Sequence, residues 1–388
     1  MTPEFAITHR DQKARTGVLH TDHGDIPTPN FMPVATRGVF HGMEIGDAVE
    51  AGVDVIMCNT FHLDRETGAE KIAASGGIHA HTGWSKPVAT DSGGFQVFSY
   101  GWSRKHGVMK MAKGINAPSA MSAERGESHV TIDDDGVTLG EPGREVRYTA
   151  ESSIARQELI GADILFAFDE PTSPFHDREY TVEAMHRTHA WASRCIAAKR
   201  RDDQLLLGVI QGGPFEDLRV ESAKALAAMP FGGFAIGGSY DAGGAAAALR
   251  AAAPHLPEGK IRHILGIGWV KDIIAAVDAG ADLFDCVEPV RRARHRNVLV
   301  GGVYRDIVPV ARTQGDRPLV DDCDCQSCQS MTAMQIRALL SARDHAGSRA
   351  LAIHNVRTMV RIMSEIRSAI ADGSWAVYRD RWMHLLTP

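Results

Sequence analysis

Short apolar runs that end in polar or glycine-rich residues recur along most of the chain, at 31–36, 53–60, 87–91, 164–169, 205–211, 234–238, 263–268 and 283–287. They read as eight strands. Most are separated by segments with helical patterning, at 44–51, 64–74, 150–159, 181–199, 215–228, 242–252 and 270–279. Strand and helix alternating eight times is the signature of a parallel (β/α)8 TIM barrel. A doubly wound open sheet is the competing arrangement, but no glycine fingerprint follows the first strand.

Two regions break the alternation. Residues 100–148 form an insertion, within which Val130 to Leu139 carries alternating polarity around Asp135-Gly136, the chemistry of a hairpin turn. The rest of the insertion is rich in Gly, Ser and Met and reads as a loop. The second break follows Val290. The expected organisation is therefore a barrel domain over 1–300, opened by an N-terminal hairpin at 1–30, and an appended subdomain over 301–388. Within the latter, 350–371 predicts a helix whose apolar stripe is Ile353, Val356, Met359, Val360, Met363, Ile366 and Ile370.

A length of 388 residues suits one large barrel with an appendage, and 44% hydrophobic with 23% charged residues is ordinary for a globular protein. No run approaches a membrane span, and the N-terminus lacks the basic and apolar regions of a signal peptide, so a cytoplasmic location is expected. The net charge of -6 argues against bulk nucleic-acid binding but leaves room for a local basic patch.

Three of the six cysteines, Cys323, Cys325 and Cys328, fall within six residues. Thiolates packed so closely repel one another unless a soft cation neutralises them. With one imidazole they make a closed tetrahedral set, the preferred structural site for Zn2+. Disulfide pairing is the alternative, but cysteines one residue apart pair poorly and the compartment is expected to be reducing. His345, His354 and His384 are the candidates for the fourth ligand. His354 lies off the apolar stripe and is free to turn toward a metal, whereas His345 falls in a loop before Gly347.

Chemistry in a barrel collects at the C-terminal ends of strands. Asp91, Asp169 and Asp285 stand at three such ends. A capping role accounts for any one of them alone; three at one mouth suggest more. Gln211 ends another strand and Gly237-Gly238 the next, where glycine lets a flat ligand approach the backbone. Paired carboxylates facing one site suit glycosyl chemistry, one attacking the anomeric carbon and the other moving protons. Further carboxylate and amide groups suit a planar hydrogen-bonding ligand such as a nucleobase. Directly after Asp285 comes Arg291-Arg292-Ala293-Arg294-His295-Arg296, either a solvated loop or a phosphate-binding patch, which Arg357, Arg361 and Arg367 would extend.

Taken in order, Asn59-Thr-Phe-His-Leu63, Thr90-Asp-Ser-Gly-Gly-Phe-Gln96, Ala167-Phe-Asp-Glu170, Gln211-Gly212, Gly237-Gly238, Phe284-Asp-Cys-Val287 and the Cys323/Cys325/Cys328/His354 set resemble the tRNA-guanine transglycosylases, or queuine tRNA-ribosyltransferases, over nearly the whole chain. The resemblance implies exchange of the wobble guanine of tRNA for a 7-deazaguanine, either 7-aminomethyl-7-deazaguanine or queuine. It implies Asp285 as the nucleophile forming a covalent ribosyl-enzyme and Asp91 as general acid/base. Asp169, Gln211, Gly238, Asn59 and Phe95 would form the base site, and Arg291, Arg292, Arg294 and Arg296 would contact tRNA. It further implies one structural Zn2+ per subunit and a homodimer. This chain departs from the family pattern at Pro171, Ser239-Tyr240-Asp241, Gly243, Val290 and the extra residues 105–128, all near where the base substituent or tRNA would lie. The alternatives are a retaining glycoside hydrolase on the same barrel, which the basic run and thiolate cluster disfavour, and a non-catalytic tRNA-binding paralogue, which the retention of Asp91 and Asp285 disfavours.

Overall fold

The computed structural model describes residues 2–94, 130–139, 145–173, 176–238 and 243–386. Eight parallel strands form its centre: β1 (Asn30–Pro33), β2 (Ile56–Cys58), β3 (Val88–Thr90), β4 (Ile164–Phe166), β5 (Leu205–Ile210), β6 (Gly233–Ile236), β7 (Ile261–Ile264) and β8 (Leu283–Cys286). Each pairs with its sequence neighbours, and β8 pairs with β1 in register from Leu283–Asn30 to Cys286–Pro33. A parallel bridge from Val34 to Met57 and the 2.8 Å bond from the Ala35 N–H to the Met57 carbonyl close β1 onto β2. The barrel is thus the expected (β/α)8 arrangement.

Its interior is packed with Met32, Val55, Met57, Ala89, Ile164, Phe166, Leu205, Leu207, Val209, Ala235, Ile261 and Leu283. Leu19 and Ile26 join the same cluster from outside the barrel strands. They come from an N-terminal antiparallel sheet of Glu4–Asp11, Ala14–Thr21 and Gly24–Thr28, which floors the barrel at its N-terminal end. The expected hairpin at 1–30 is therefore a three-stranded meander, with the third strand formed by a run too short to stand out. Arg15 fastens this floor. Its guanidinium, 1% exposed, grips Asp282 at the foot of β8 through Nε and Nη2 at 2.8 and 2.5 Å, and also bonds the Glu258 and Lys260 carbonyls.

Between β3 and β4, Val130–Asp133 and Gly136–Leu139 form the hairpin expected around Asp135-Gly136, with Val146–Thr149 as a third strand. The expected helix 64–74 is instead two pieces, Thr60–Glu66 and Ala69–Ala74, because Gly68 takes a φ of +96° between them. After β8 come the helix Glu288–Arg294, the hairpin Asn297–Val300 and Val303–Asp306, and five more helices among the described residues. The longest, His345–Ala371, starts five residues earlier than the apolar stripe predicts, because Asp344 caps it with a 2.9 Å bond to the Ala346 N–H. It packs on the Glu288–Arg294 helix, on β1 and on the floor sheet, so the C-terminal elements are integral to the barrel wall. Among the described residues, no helix is long and apolar enough to cross a membrane.

Candidate active site and metal centre

Side chains alternate along a strand, so the residue two places past an interior-facing one also faces inward. Asn59 follows Met57, Asp91 follows Ala89, Gln211 follows Val209, His263 follows Ile261 and Asp285 follows Leu283 in this way. One register rule thus brings residues from β2, β3, β5, β7 and β8 to the C-terminal mouth.

Asn59 caps the helix Thr60–Glu66 by accepting from the His62 N–H at 2.9 Å. That bond fixes the orientation of the amide and aims Nδ2 at Asp91, to which it donates. Asp91 also accepts from the Thr60 N–H at 3.0 Å and the Gly93 N–H at 3.3 Å, and its carbonyl receives the Thr60 hydroxyl at 2.5 Å. These bonds orient the Asp91 carboxyl group.

Asp169, buried at the end of β4, accepts from the Ser92 hydroxyl at 3.1 Å and from Gln211 Nε2 at 2.7 Å. Its neighbour Glu170 is 1% exposed and engages Arg187 at 2.7 Å and the Tyr180 hydroxyl at 2.6 Å, which anchors the turn. Gln211 is fully buried, and its Oε1 has no hydrogen-bond partner. A flipped amide would face that oxygen with the Asp169 carboxylate, so the stated orientation is the favourable one. Gly238, at φ +113°, leaves space that a Cβ would lose to Arg219 at 3.0 Å and Gln211 Oε1 at 3.4 Å. An orphaned acceptor, a carboxylate and an open glycine backbone therefore border one small space.

Asp285 is held from β7. His263 Nε2 and the Gly266 N–H both lie 2.9 Å from Oδ1. A carboxylate only accepts when ionised, so Nε2 is the donor, and His263 Nδ1 is left buried without a partner. The ring is fully buried and meets Phe166 edge-on with centroids 5.1 Å apart. Sequence reading missed His263, taking it as the start of an apolar strand. The signal was its parity with Ile261. Two thiols near the mouth are inert: burial pushes both Cys58 and Cys195 up to about 12.

The basic run is less open than its sequence suggests. Glu288, 3% exposed, pairs with both Arg291 and Arg292, and Arg292 also lies 5.0 Å over the Trp269 ring. Arg294 is exposed, and Arg296 sits at a φ of +61° beyond the helix end. Arg357 pairs with Asp324, Arg361 bonds the Asp322 carbonyl and Arg367 the Pro29 carbonyl, so these three brace local structure more than they extend a patch. Phe95, Ser239-Tyr240-Asp241 and residues 105–128 lie outside the described residues. Gly243 is described: at φ +82° it holds a left-handed conformation that a side-chain-bearing residue would resist.

Cys323, Cys325, Cys328 and His354 converge as a buried group that could hold a metal ion. His354 Nδ1 stands 3.4, 3.7 and 3.4 Å from the three sulfurs. Tetrahedral coordination with bonds of about 2.3 Å to sulfur and about 2.05 Å to nitrogen separates each sulfur from the nitrogen by about 3.6 Å. The donors are thus set at metal spacing. His354 Nε2 donates to the Leu299 carbonyl at 3.0 Å, which leaves the Nδ1 lone pair for an ion. His345 is exposed on the first turn of the same helix, and His384 lies on the final helix, so neither takes the fourth place. None of the six cysteines is joined in a disulfide, and three of them share the His354 site instead.

Comparison with known proteins points to one family. Residues 11–387 match the family model described as queuine tRNA-ribosyltransferase. A putative queuine tRNA-ribosyltransferase of Archaeoglobus fulgidus is 38% identical over 402 aligned residues, covering 99% of this chain and 100% of the relative. Queuine tRNA-ribosyltransferases of Gloeobacter violaceus and Herpetosiphon aurantiacus are 39% and 36% identical, covering 97% and 98% of this chain and 96% and 91% of the relatives.

Proposed function

The chain belongs to the queuine tRNA-ribosyltransferase family, and from that premise we propose that it exchanges the wobble guanine of a tRNA anticodon for a 7-deazaguanine base through a ribosyl-aspartate intermediate. The observation that carries the reading is the convergence of Asp91, Asp169, Gln211 and Asp285 at one barrel mouth, each held by named donors.

Asp285 attacks the ribose C1′ and forms a C–O bond as the glycosidic C–N bond breaks. The released electron pair stays on the guanine ring nitrogen, which Asp91 protonates. The incoming base then gives its ring N–H proton to Asp91, its nitrogen attacks C1′, and the Asp285 carboxylate leaves. The sugar is inverted twice, so the product keeps its stereochemistry. The bonds from His263 and Gly266 both fall on Oδ1 and hold the carboxylate in place for attack.

The lock between Asp169 and Gln211 supports base recognition. A guanine-like edge offers N–H donors to Asp169, and the displaced Gln211 amide and the Gly238 backbone meet its carbonyl oxygen. To reach this depth the base must leave the anticodon stack. Asn59 orients Asp91, Phe95 would flank the base, and Arg291, Arg292, Arg294 and Arg296 are the proposed tRNA contacts.

Zn2+ is the metal that best suits the Cys3His set, with four protein ligands leaving no open position, so it fastens the C-terminal elements and takes no chemical part. The homodimer expected from the resemblance and the cytoplasmic location expected from the sequence belong to the same reading.

Labelled guanine, incubated with tRNA bearing a wobble guanine, should be incorporated by the wild type and not by Asp285→Ala. A denaturing gel should trap a protein–tRNA adduct. Absence of incorporation by wild-type protein with intact tRNA defeats the proposal. Competition with queuine and with 7-aminomethyl-7-deazaguanine identifies the incoming base.

A further inference from the structure

The opposite end of the barrel carries a second convergence of ligand atoms. His23 comes from the turn between Ala14–Thr21 and Gly24–Thr28, His79 from the helix Gly77–Thr82, and Asp163 directly precedes β4. One nitrogen from each histidine and a carboxylate oxygen lie within 4.8 Å of one another. His23 Nδ1 is 2.7 Å from Asp163 Oδ1, and His79 Nε2 is 3.3 Å from Oδ2. The carboxylate is 2% exposed and also accepts from the Val88 N–H at 2.8 Å.

Hydrogen bonding accounts for His23 but not for His79. His79 Nε2 is buried, and despite the 3.3 Å approach it makes no hydrogen bond of acceptable geometry. In the tautomer that leaves Nε2 unprotonated, its lone pair could serve an ion placed between the ring and the carboxylate. The two rings also stack, with centroids 3.4 Å apart and planes 13° from parallel, so binding one ion requires the half-exposed His23 ring to turn out of the stack. Two neutral imidazoles and one carboxylate are the donor set of a borderline divalent cation, and neighbouring ligands on such an ion stand about 3 Å apart.

We propose that His23, His79 and Asp163 form a second metal site, for a divalent cation of the zinc, manganese or iron(II) class. The three ligands come from the floor sheet, an outer helix and the barrel wall, so the ion would staple the floor to the barrel. Both histidines line a cavity of about 720 Å³, together with Gly76, Gly77, Glu158 and Arg201. The remaining coordination positions open toward that cavity and take water or a small anion. Neither Asp91 nor Asp285 shares this end of the barrel, so the site stands apart from the proposed chemistry.

The full-length protein, stripped with chelator and reloaded with Co2+, separates the two centres. The Cys3His centre gives a sulfur-to-cobalt charge-transfer band, and the His2Asp centre gives only ligand-field absorption. Wild type should take up two equivalents by elemental analysis, one for each ligand group. His23→Ala, on a half-exposed turn, should lose one equivalent and keep the sulfur band. Its affinity at this site should fall by more than about 100-fold, since losing even an outer-shell partner costs 10–100-fold. His79→Ala should behave alike, and His20→Ala, bonded to Asp25 outside the cluster, should bind as wild type does. Wild-type uptake of a single equivalent, or unchanged uptake by both His23→Ala and His79→Ala, overturns the proposal and leaves a hydrogen-bonded cluster.

Discussion

Replacing His263 tests whether the β7 histidine tunes the proposed nucleophile or merely fills the barrel. In His263→Phe an aromatic ring, somewhat larger, still faces Phe166, while the donor to Asp285 Oδ1 is lost. A hydrogen bond to a charged group is worth about 1.5–3 kcal/mol. If that energy serves to orient the attacking carboxylate, kcat falls by about 10- to 150-fold, at about 1.4 kcal/mol per tenfold. Stability should move little. The lost bond is offset because the variant also removes His263 Nδ1, a buried nitrogen with no partner, whose desolvation costs about 1–3 kcal/mol. His263→Gln places an amide N–H near the original Nε2 and should recover part of the rate. The assay is single-turnover formation of the protein–tRNA adduct, with KM for tRNA and the unfolding midpoint measured alongside. The idea fails if His263→Phe reacts at the wild-type rate, or if Phe and Gln lose rate in proportion to lost stability.

Gln211→Ala should raise KM for the base more than it lowers kcat, because it removes the amide facing Gly238 while sparing both Asp91 and Asp285; guanine-exchange kinetics read this out. Cys325→Ser should release the metal of the Cys3His centre and expose the C-terminal helices to protease, since binding energy at such a site is folding energy; metal retention with unchanged proteolysis contradicts the structural role. Arg15→Met should cost about 3–5 kcal/mol by stranding the Asp282 carboxylate under the barrel, as a denaturant titration will show. The Arg194 guanidinium holds the Glu151 carboxyl at about 2. A depressed folded value means that its contribution is present above the unfolded value of about 4.3 and is lost as pH falls toward 2. The pair is exposed, so Glu151→Gln should lose under about 1 kcal/mol at pH 7 and nothing at the acid end.

The barrel was readable because its strands are apolar on both faces. Such a run, stopped by Asp91, Gln211 or Asp285, marks a strand and its polar end together. Failures cluster where backbone conformation or distant packing decides. A single positive φ at Gly68 splits a helical stretch that looks continuous, and Asp344 starts the long helix before its apolar stripe begins. The arginine run conceals an electrostatic detail. A count of charges along the sequence cannot show that buried Glu288 already satisfies Arg291 and Arg292.

The two groups of potential metal ligands show why one site is visible in a sequence and another is not. Cys323, Cys325 and Cys328 fall within six residues, and sulfur is scarce enough that such crowding needs a reason. His23 and Asp163 stand 140 residues apart, and nothing in either neighbourhood distinguishes them from surface histidine and capping aspartate. Only the closed barrel brings them together, because the floor sheet must reach the foot of β4 to bury Leu19 and Ile26. His263 is hidden for the same reason at the other end, in the middle of an apolar run whose parity matters only once β7 is set beside β8. In each case the structural signal is a buried polar atom lacking a partner: His79 Nε2 at the floor, and His263 Nδ1 and Gln211 Oε1 at the mouth. Folding tolerates such an atom at a cost of about 1–3 kcal/mol, so each calls for a cause. At Gln211 the cause is the Nε2 donor turned toward Asp169, at His263 the donor turned toward Asp285, and at His79 the proposed cation, which the cobalt titration tests.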